Sequence, residues 1–143
     1  MKPTVLDTGV LVAGIFWRHE SHQCVQAWVR GLLTMVVSDS VFSEYERVLQ
    51  EVKAEQGFST DLEPWLESIR KTAIWVIPAP LPEPACRDPK DDIMIEAAVA
   101  GGARTIIARD ADLTVMEKPF GIRILTPRQW LATLPREARR RLR

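Results

Sequence analysis

Cysteine is nearly missing. Cys24 and Cys86 are the only two in 143 residues, far apart and in no metal-ligand spacing. That usage argues against a disulfide framework and a cysteine-based zinc site, and the expectation is a cytoplasmic chain. Long apolar runs are lacking too. None approaches the ~20 residues a membrane-spanning helix needs, and Asp7 and Gly9 interrupt the early apolar run where a secretory leader would be continuous. Neither sign of charge is in excess, with 19 Lys plus Arg against 19 Asp plus Glu. Overall charge therefore does not mark the chain as a nucleic-acid binder. No glycine-rich phosphate loop is present, since "AGGAR" has the wrong spacing. His19 and His22 have no Ser or Cys partner in a recognisable nucleophile setting, which argues against a catalytic triad and for surface histidines.

What remains is an ordinary globular balance, 46% hydrophobic and 27% charged. A chain this long fits one domain and buries about 68–70% of its unfolded surface without staples. The expected division is a domain over 1–135 and an Arg-rich tail over 136–143. The tail, "PREARRRLR", holds five Arg. It reads either as a solvated, frayed helix end or as an arm contacting phosphate or a partner.

Short apolar runs predict strands at 4–6 (TVL), 34–37 (TMVV), 73–77 (AIWVI), 105–108 (TIIA) and 122–125 (IRIL). Several lack alternation, as strands buried on both faces do. Helical spacing predicts helices at 21–31, with Ser21 as N-cap, and at 38–53, 59–72, 88–102 and 126–134. Pro64 must begin or bend the third of these. The four prolines of "PAPLPEPA" (78–85) read as an extended connection. Alternation of strand and helix predicts an α/β sandwich around a mostly parallel central sheet. Trp28 and Trp75 lie in apolar segments and are expected in the core. Trp17, in "IFWRHE", is the candidate for a substrate or dimer contact.

Ligands of open parallel sheets bind beyond the carboxyl ends of strands, where strand order reverses. Asp7 follows the first predicted strand and Asp110 the fourth. If those strands are neighbours, the two carboxylates share one crevice. The competing reading is that Asp7 caps a helix beginning at Thr8. Glu44 sits at the edge of an apolar stripe made by Val41, Tyr45, Val48 and Leu49. In "DPKDDIMIEAA", Asp88 reads as N-cap, Pro89 as N1 and Asp91 as a first-turn acid. Those local roles leave Asp92 unexplained at the start of an almost wholly apolar helix. Asp112 reads as the cap of a short helix through Met116 or as an indirect, water-mediated metal contact. Carboxylates crowded together repel, and a divalent cation relieves the conflict. Oxygen-only ligands suit Mg²⁺ or Mn²⁺, which can orient a water and stabilise charge on a phosphoryl oxygen.

Together "VLDTGVLVAG", "VVSDSVFSEYERVL", "DPKDDIMIEAAVAGGARTIIARDADL" and "IRILTPRQWL" resemble the PIN domain over nearly the whole chain. The closest resemblance is to toxin-like members related to the VapC ribonucleases of bacterial toxin–antitoxin pairs. The resemblance implies a three-layer α/β sandwich with a central five-stranded parallel sheet, and a Mg²⁺- or Mn²⁺-dependent endonuclease acting on RNA. It implies a catalytic set of Asp7, Glu44, Asp92 and Asp110, with metal held by Asp7, Asp92, Asp110 and Asp112. Asp91 rivals Asp92 for the third position. Thr8 matches the small polar residue that often follows the first acid, and Arg109 and the Arg tail are candidate phosphate contacts. A homodimer and inhibition by a small antitoxin protein also follow from the resemblance, and the lack of a long apolar run predicts no membrane association. Two other readings stay open. An aspartate-based phosphotransfer domain is disfavoured by Gly9, where a second Asp is usual, and a non-catalytic RNA- or protein-binding domain by the presence of all four acids.

Overall fold

The computed structural model describes residues 2–81, 89–109 and 119–143. In chain order the elements are β1 (Lys2–Leu6), α1 (Thr8–Phe16), α2 (Glu20–Val29), β2 (Leu33–Val37), α3 (Asp39–Gln56), α4 (Glu63–Thr72) and β3 (Ile74–Trp75). After these come α5 (Pro89–Ala100), β4 (Thr105–Ile107), β5 (Arg123–Leu125), α6 (Pro127–Ala132) and α7 (Arg136–Arg140). The strands form one sheet in the order β3-β2-β1-β4-β5, and every pairing is parallel. Thr4 lies opposite both Met35 and Thr105, and Leu6 opposite Ile107. The chain builds one half outward from β1 and then returns to start the other half at β4. The order therefore reverses between β1 and β4, and a crevice opens at their carboxyl ends.

Both faces of the sheet are covered. Val5 and Leu6, Val36 and Val37, and Ile106 and Ile107 are consecutive pairs with no exposure. Consecutive strand residues point to opposite faces, so burial of both members requires helices on each side, the three-layer arrangement the sequence predicts. α5 packs on β1, β2 and β4, and also against α3.

The helix α1 is apolar all round, with Val10, Leu11, Val12, Ala13 and Gly14 buried. It lies against α2 at close range. A Cβ on Gly14 would stand 2.3 Å from Val25 Cγ2 and 2.6 Å from the Ser21 carbonyl oxygen. Only a residue without a side chain lets these backbones meet.

Several local expectations change. α2 begins at Glu20 with His19 in the cap position, so Ser21 is inside the first turn and buried. The acid in that first turn suits the helix dipole. β3 keeps only Ile74 and Trp75 of the predicted five residues. It is an edge strand, and Pro78 and Pro80 follow it. Trp75 accordingly is not core. It is 41% exposed, rests on Phe42 at 5.4 Å and donates its indole N–H to the Arg70 carbonyl at 3.1 Å. Trp28 is buried as expected. Pro64 falls in the first turn of α4, where it is tolerated. Thr126 caps α6 reciprocally with Gln129, each accepting from the other's backbone N–H (3.1 and 2.9 Å). The C-terminal tail is anchored, because Leu142 is 4% exposed and belongs to the core.

Candidate active site

Asp7 sits one residue beyond β1, at the reversal of strand order. Its backbone N–H donates to the Ile107 carbonyl at 2.9 Å, which continues the β1–β4 ladder one step past the strands. Its own carbonyl accepts from Val10 and Leu11 and so starts α1. Asp7 thus occupies the N-cap position, but its carboxylate makes no capping hydrogen bond. At 7% exposure this is a buried acid.

Thr8, also buried, donates its hydroxyl to Glu44 Oε2 at 2.6 Å. This bond joins the first turn of α1 to the second turn of α3. Ser38 sets the register of α3 by accepting from the Val41 N–H at 3.2 Å. Glu44 then faces α1, and Tyr45 turns inward. The side chain of Glu44 is 15% exposed, and its other oxygen lies 3.7 Å from Arg47 Nη2.

Tyr45 is fully buried and donates its hydroxyl to the Leu6 carbonyl, at the end of β1 next to Asp7. Burial pushes the phenol well above its ordinary range, and the negative charges of Asp7 and then Glu44 push it the same way. Those two acids therefore act electrostatically on one buried phenol. Asp92 is the third acid. It lies in the first turns of α5, the helix packed on β1 and α3, and is 8% exposed.

The structure thus ties Asp7, Thr8 and Glu44 into one cluster and puts Asp92 on an adjacent helix. Asp110, Asp112 and the side chain of Asp91 lie outside the described residues. Among the described residues, no three His, Cys, Asp or Glu side chains form a metal-holding group by themselves. The donors of the cluster are nevertheless all oxygen, the buried carboxylate of Asp7 and the largely buried one of Glu44 among them. Oxygen donors are the kind a hard cation such as Mg²⁺ or Mn²⁺ takes and Zn²⁺ does not prefer.

Two features escape a reading of the sequence alone. Tyr45 passes there for one more residue of an apolar stripe, although a buried tyrosine needs a partner for its hydroxyl, and its place beside Glu44 was the available signal. Arg18 and Arg30 carry no motif. His19 lines a hollow of about 430 Å³ with Trp17, Arg109 and Arg128 at the crevice rim, whereas His22 lies 2.8 Å from the Gly14 carbonyl through Nδ1.

Fold and site together define an α/β domain that presents buried acids at the switch point of a parallel sheet. The model of the PIN domain matches residues 3–112, and the chain belongs to that family. No curated protein matches the chain. PIN domains are in general nucleases that act on nucleic acid and use divalent metal ions. No helix among the described residues is long and apolar enough to cross a membrane.

Proposed function

We propose that this protein is a Mg²⁺- or Mn²⁺-dependent endoribonuclease that hydrolyses RNA phosphodiesters. In this reading Asp7, Glu44, Asp92 and Asp110 form the catalytic carboxylate set. Asp7, Asp92, Asp110 and Asp112 would hold the metal, and Asp91 is the rival for the third place. The observation that carries the reading is buried Asp7 at the switch point, one residue from the Thr8–Glu44 hydrogen bond.

A divalent cation bound there supplies positive charge that offsets the carboxylates and the charge developing on the phosphodiester. The chain's own residues do the rest. Thr8 fixes one oxygen of Glu44, and Tyr45 holds α3 against the end of β1. Both are positioning residues. As water attacks phosphorus and the bond to the leaving oxygen breaks, a carboxylate of the set accepts the water's proton. Arg109, exposed and lining a hollow beyond β4, would meet a phosphate in this reading.

The resemblance of the sequence to toxin ribonucleases extends the proposal to a cytoplasmic toxin, homodimeric and held in check by a small antitoxin protein. Two assays test the reading. Purified protein is incubated with RNA and Mn²⁺, with and without EDTA, beside Asp7→Asn. We expect EDTA to abolish cleavage and Asp7→Asn to lower it by about 100-fold or more. Cleavage that survives either treatment rejects the mechanism. RNA binding indifferent to metal, with no cleavage under any condition, turns the reading to a non-catalytic binding domain. Induced expression in a bacterial host is expected to arrest growth for the wild type and not for Asp7→Asn.

A further inference from the structure

A chain with no net charge must still hold a polyanion, and the distribution of its arginines answers how. Three hollows follow one another away from the crevice. The first, about 430 Å³, begins at Arg109, two residues past Ile107, the residue whose carbonyl accepts from Asp7, and also contains Arg128 and His19. His19 is shared with the second, about 310 Å³, which Arg18 and Arg30 line from one side and Arg141 and Arg143 from the C-terminus. Arg143 is shared with the third, about 340 Å³, completed by Arg136, Arg139 and Arg140.

Nine of the 14 arginines in the sequence line this tract. The carboxylate lining it among the described residues is Glu20, which is paired with Arg128 at 3.2 Å. Glu137 sits alongside, 3.9 Å from Arg141. The acidic surplus is elsewhere, as on α3 and α4, where Glu46, Glu63 and Glu67 all lie within 4 Å of Arg70. Arginines three and four residues apart on α7 repel one another, and burial of Leu142 nonetheless pins the tail in this position. A neighbouring polyanion would turn that repulsion into attraction.

The first hollow adds a second kind of contact. Trp17 is 40% exposed there, and its ring is braced edge-on by Phe16 at 6.0 Å and Phe58 at 5.5 Å. An exposed, braced indole beside cations is a stacking platform for an unpaired base. A duplex keeps its bases stacked inside and offers none.

We propose that the tract from Arg109 through Arg18 and Arg30 to Arg136, Arg139 and Arg140 is where a single-stranded nucleic acid lays its phosphate backbone on its way to the carboxylate crevice, with Trp17 stacking on a base at the crevice rim. The direction of travel rests on the nuclease reading above. The binding itself does not.

The test uses the full chain and a fluorescein-labelled oligouridylate. Binding is followed by anisotropy in EDTA over a salt series, so that no cleavage intervenes. Arg136→Gln/Arg139→Gln/Arg140→Gln is expected to weaken binding about ten-fold or more. It should also reduce the slope of log K against log salt by about 2, at about 0.7 per phosphate contact of a single strand. Arg18→Gln/Arg30→Gln, in the middle hollow, should reduce the slope by about 1, which keeps the test decisive if the first variant unfolds. Trp17→Ala is expected to weaken binding several-fold and leave the slope unchanged. Wild-type affinity and slope in both arginine variants, or equally tight binding of a duplex, overturns the proposal. Parallel cleavage in Mn²⁺ separates the two readings. Tract-dependent binding without cleavage in any metal rejects the nuclease and upholds the tract. Cleavage by the wild type that the arginine variants leave undiminished, with unchanged binding, does the reverse.

Discussion

A single phenol ties the candidate site to the sheet. Tyr45 is the chain's only tyrosine, and its hydroxyl serves the Leu6 carbonyl at the last residue of β1. In Tyr45→Phe that buried acceptor loses its donor, and we expect a loss of about 1–3 kcal/mol in urea unfolding. A variant as stable as the wild type would mean that the bond contributes nothing net. Cys24 gives a second expectation at this scale. Burial, and then the negative charge of Glu20, raise its thiol from 9.0 to about 12. The folded state therefore holds the proton more tightly than the unfolded state does. The resulting stability is complete below pH 9 and is lost as pH rises through about 12. Cys24→Ala removes this contribution, so its unfolding free energy should fall less steeply than the wild type's between those limits. Parallel slopes would refute the assignment.

At the scale of elements, the approach of α1 to α2 sets how Asp7 and Thr8 are presented, and Gly14 sets that approach. The side chain introduced by Gly14→Ala would collide with backbone at Ser21 as well as with Val25. Backbone cannot rotate away as a side-chain end can, so α1 must shift. We expect destabilisation of about 1–3 kcal/mol, typical of overpacking, and reduced cleavage, because Thr8 would no longer meet Glu44 at 2.6 Å. Intact stability and activity together would show the contact to be soft. The elements themselves differ in how plainly the sequence announces them. The central strands stand out because they are buried on both faces and read as unbroken apolar runs. The end caps of α3 and α6 stand out because Ser38 and Thr126 act locally. α1 is obscure because a helix apolar all round has no face for periodicity to reveal. β3 is overestimated, since apolar content in an edge strand carries no information on how long pairing lasts. Asp7 and Glu44 are legible from their positions at the ends and edges of elements. Their coupling through Tyr45 and the arginine tract depends on tertiary placement, which no local pattern encodes.

For the molecule as a whole, the acids of the proposed site come from segments far apart in the chain and would meet only on folding. An ion that needs several of them binds the native state and not the unfolded one. Mn²⁺ should then stabilise by mass action, by about 2.7 kcal/mol at a concentration one hundred times its dissociation constant. For a domain of this size that is an upward shift in Tm of about 10 °C. Asp7→Asn should lose most of the shift. Without metal, the same variant should be at least as stable as the wild type, because it removes one of the negative charges crowded beside Tyr45. The two arms discriminate. A purely structural Asp7 would make Asp7→Asn less stable in EDTA and leave the Mn²⁺ shift intact. A metal-binding Asp7 gives the opposite pattern, with the Mn²⁺ shift lost and the metal-free stability kept.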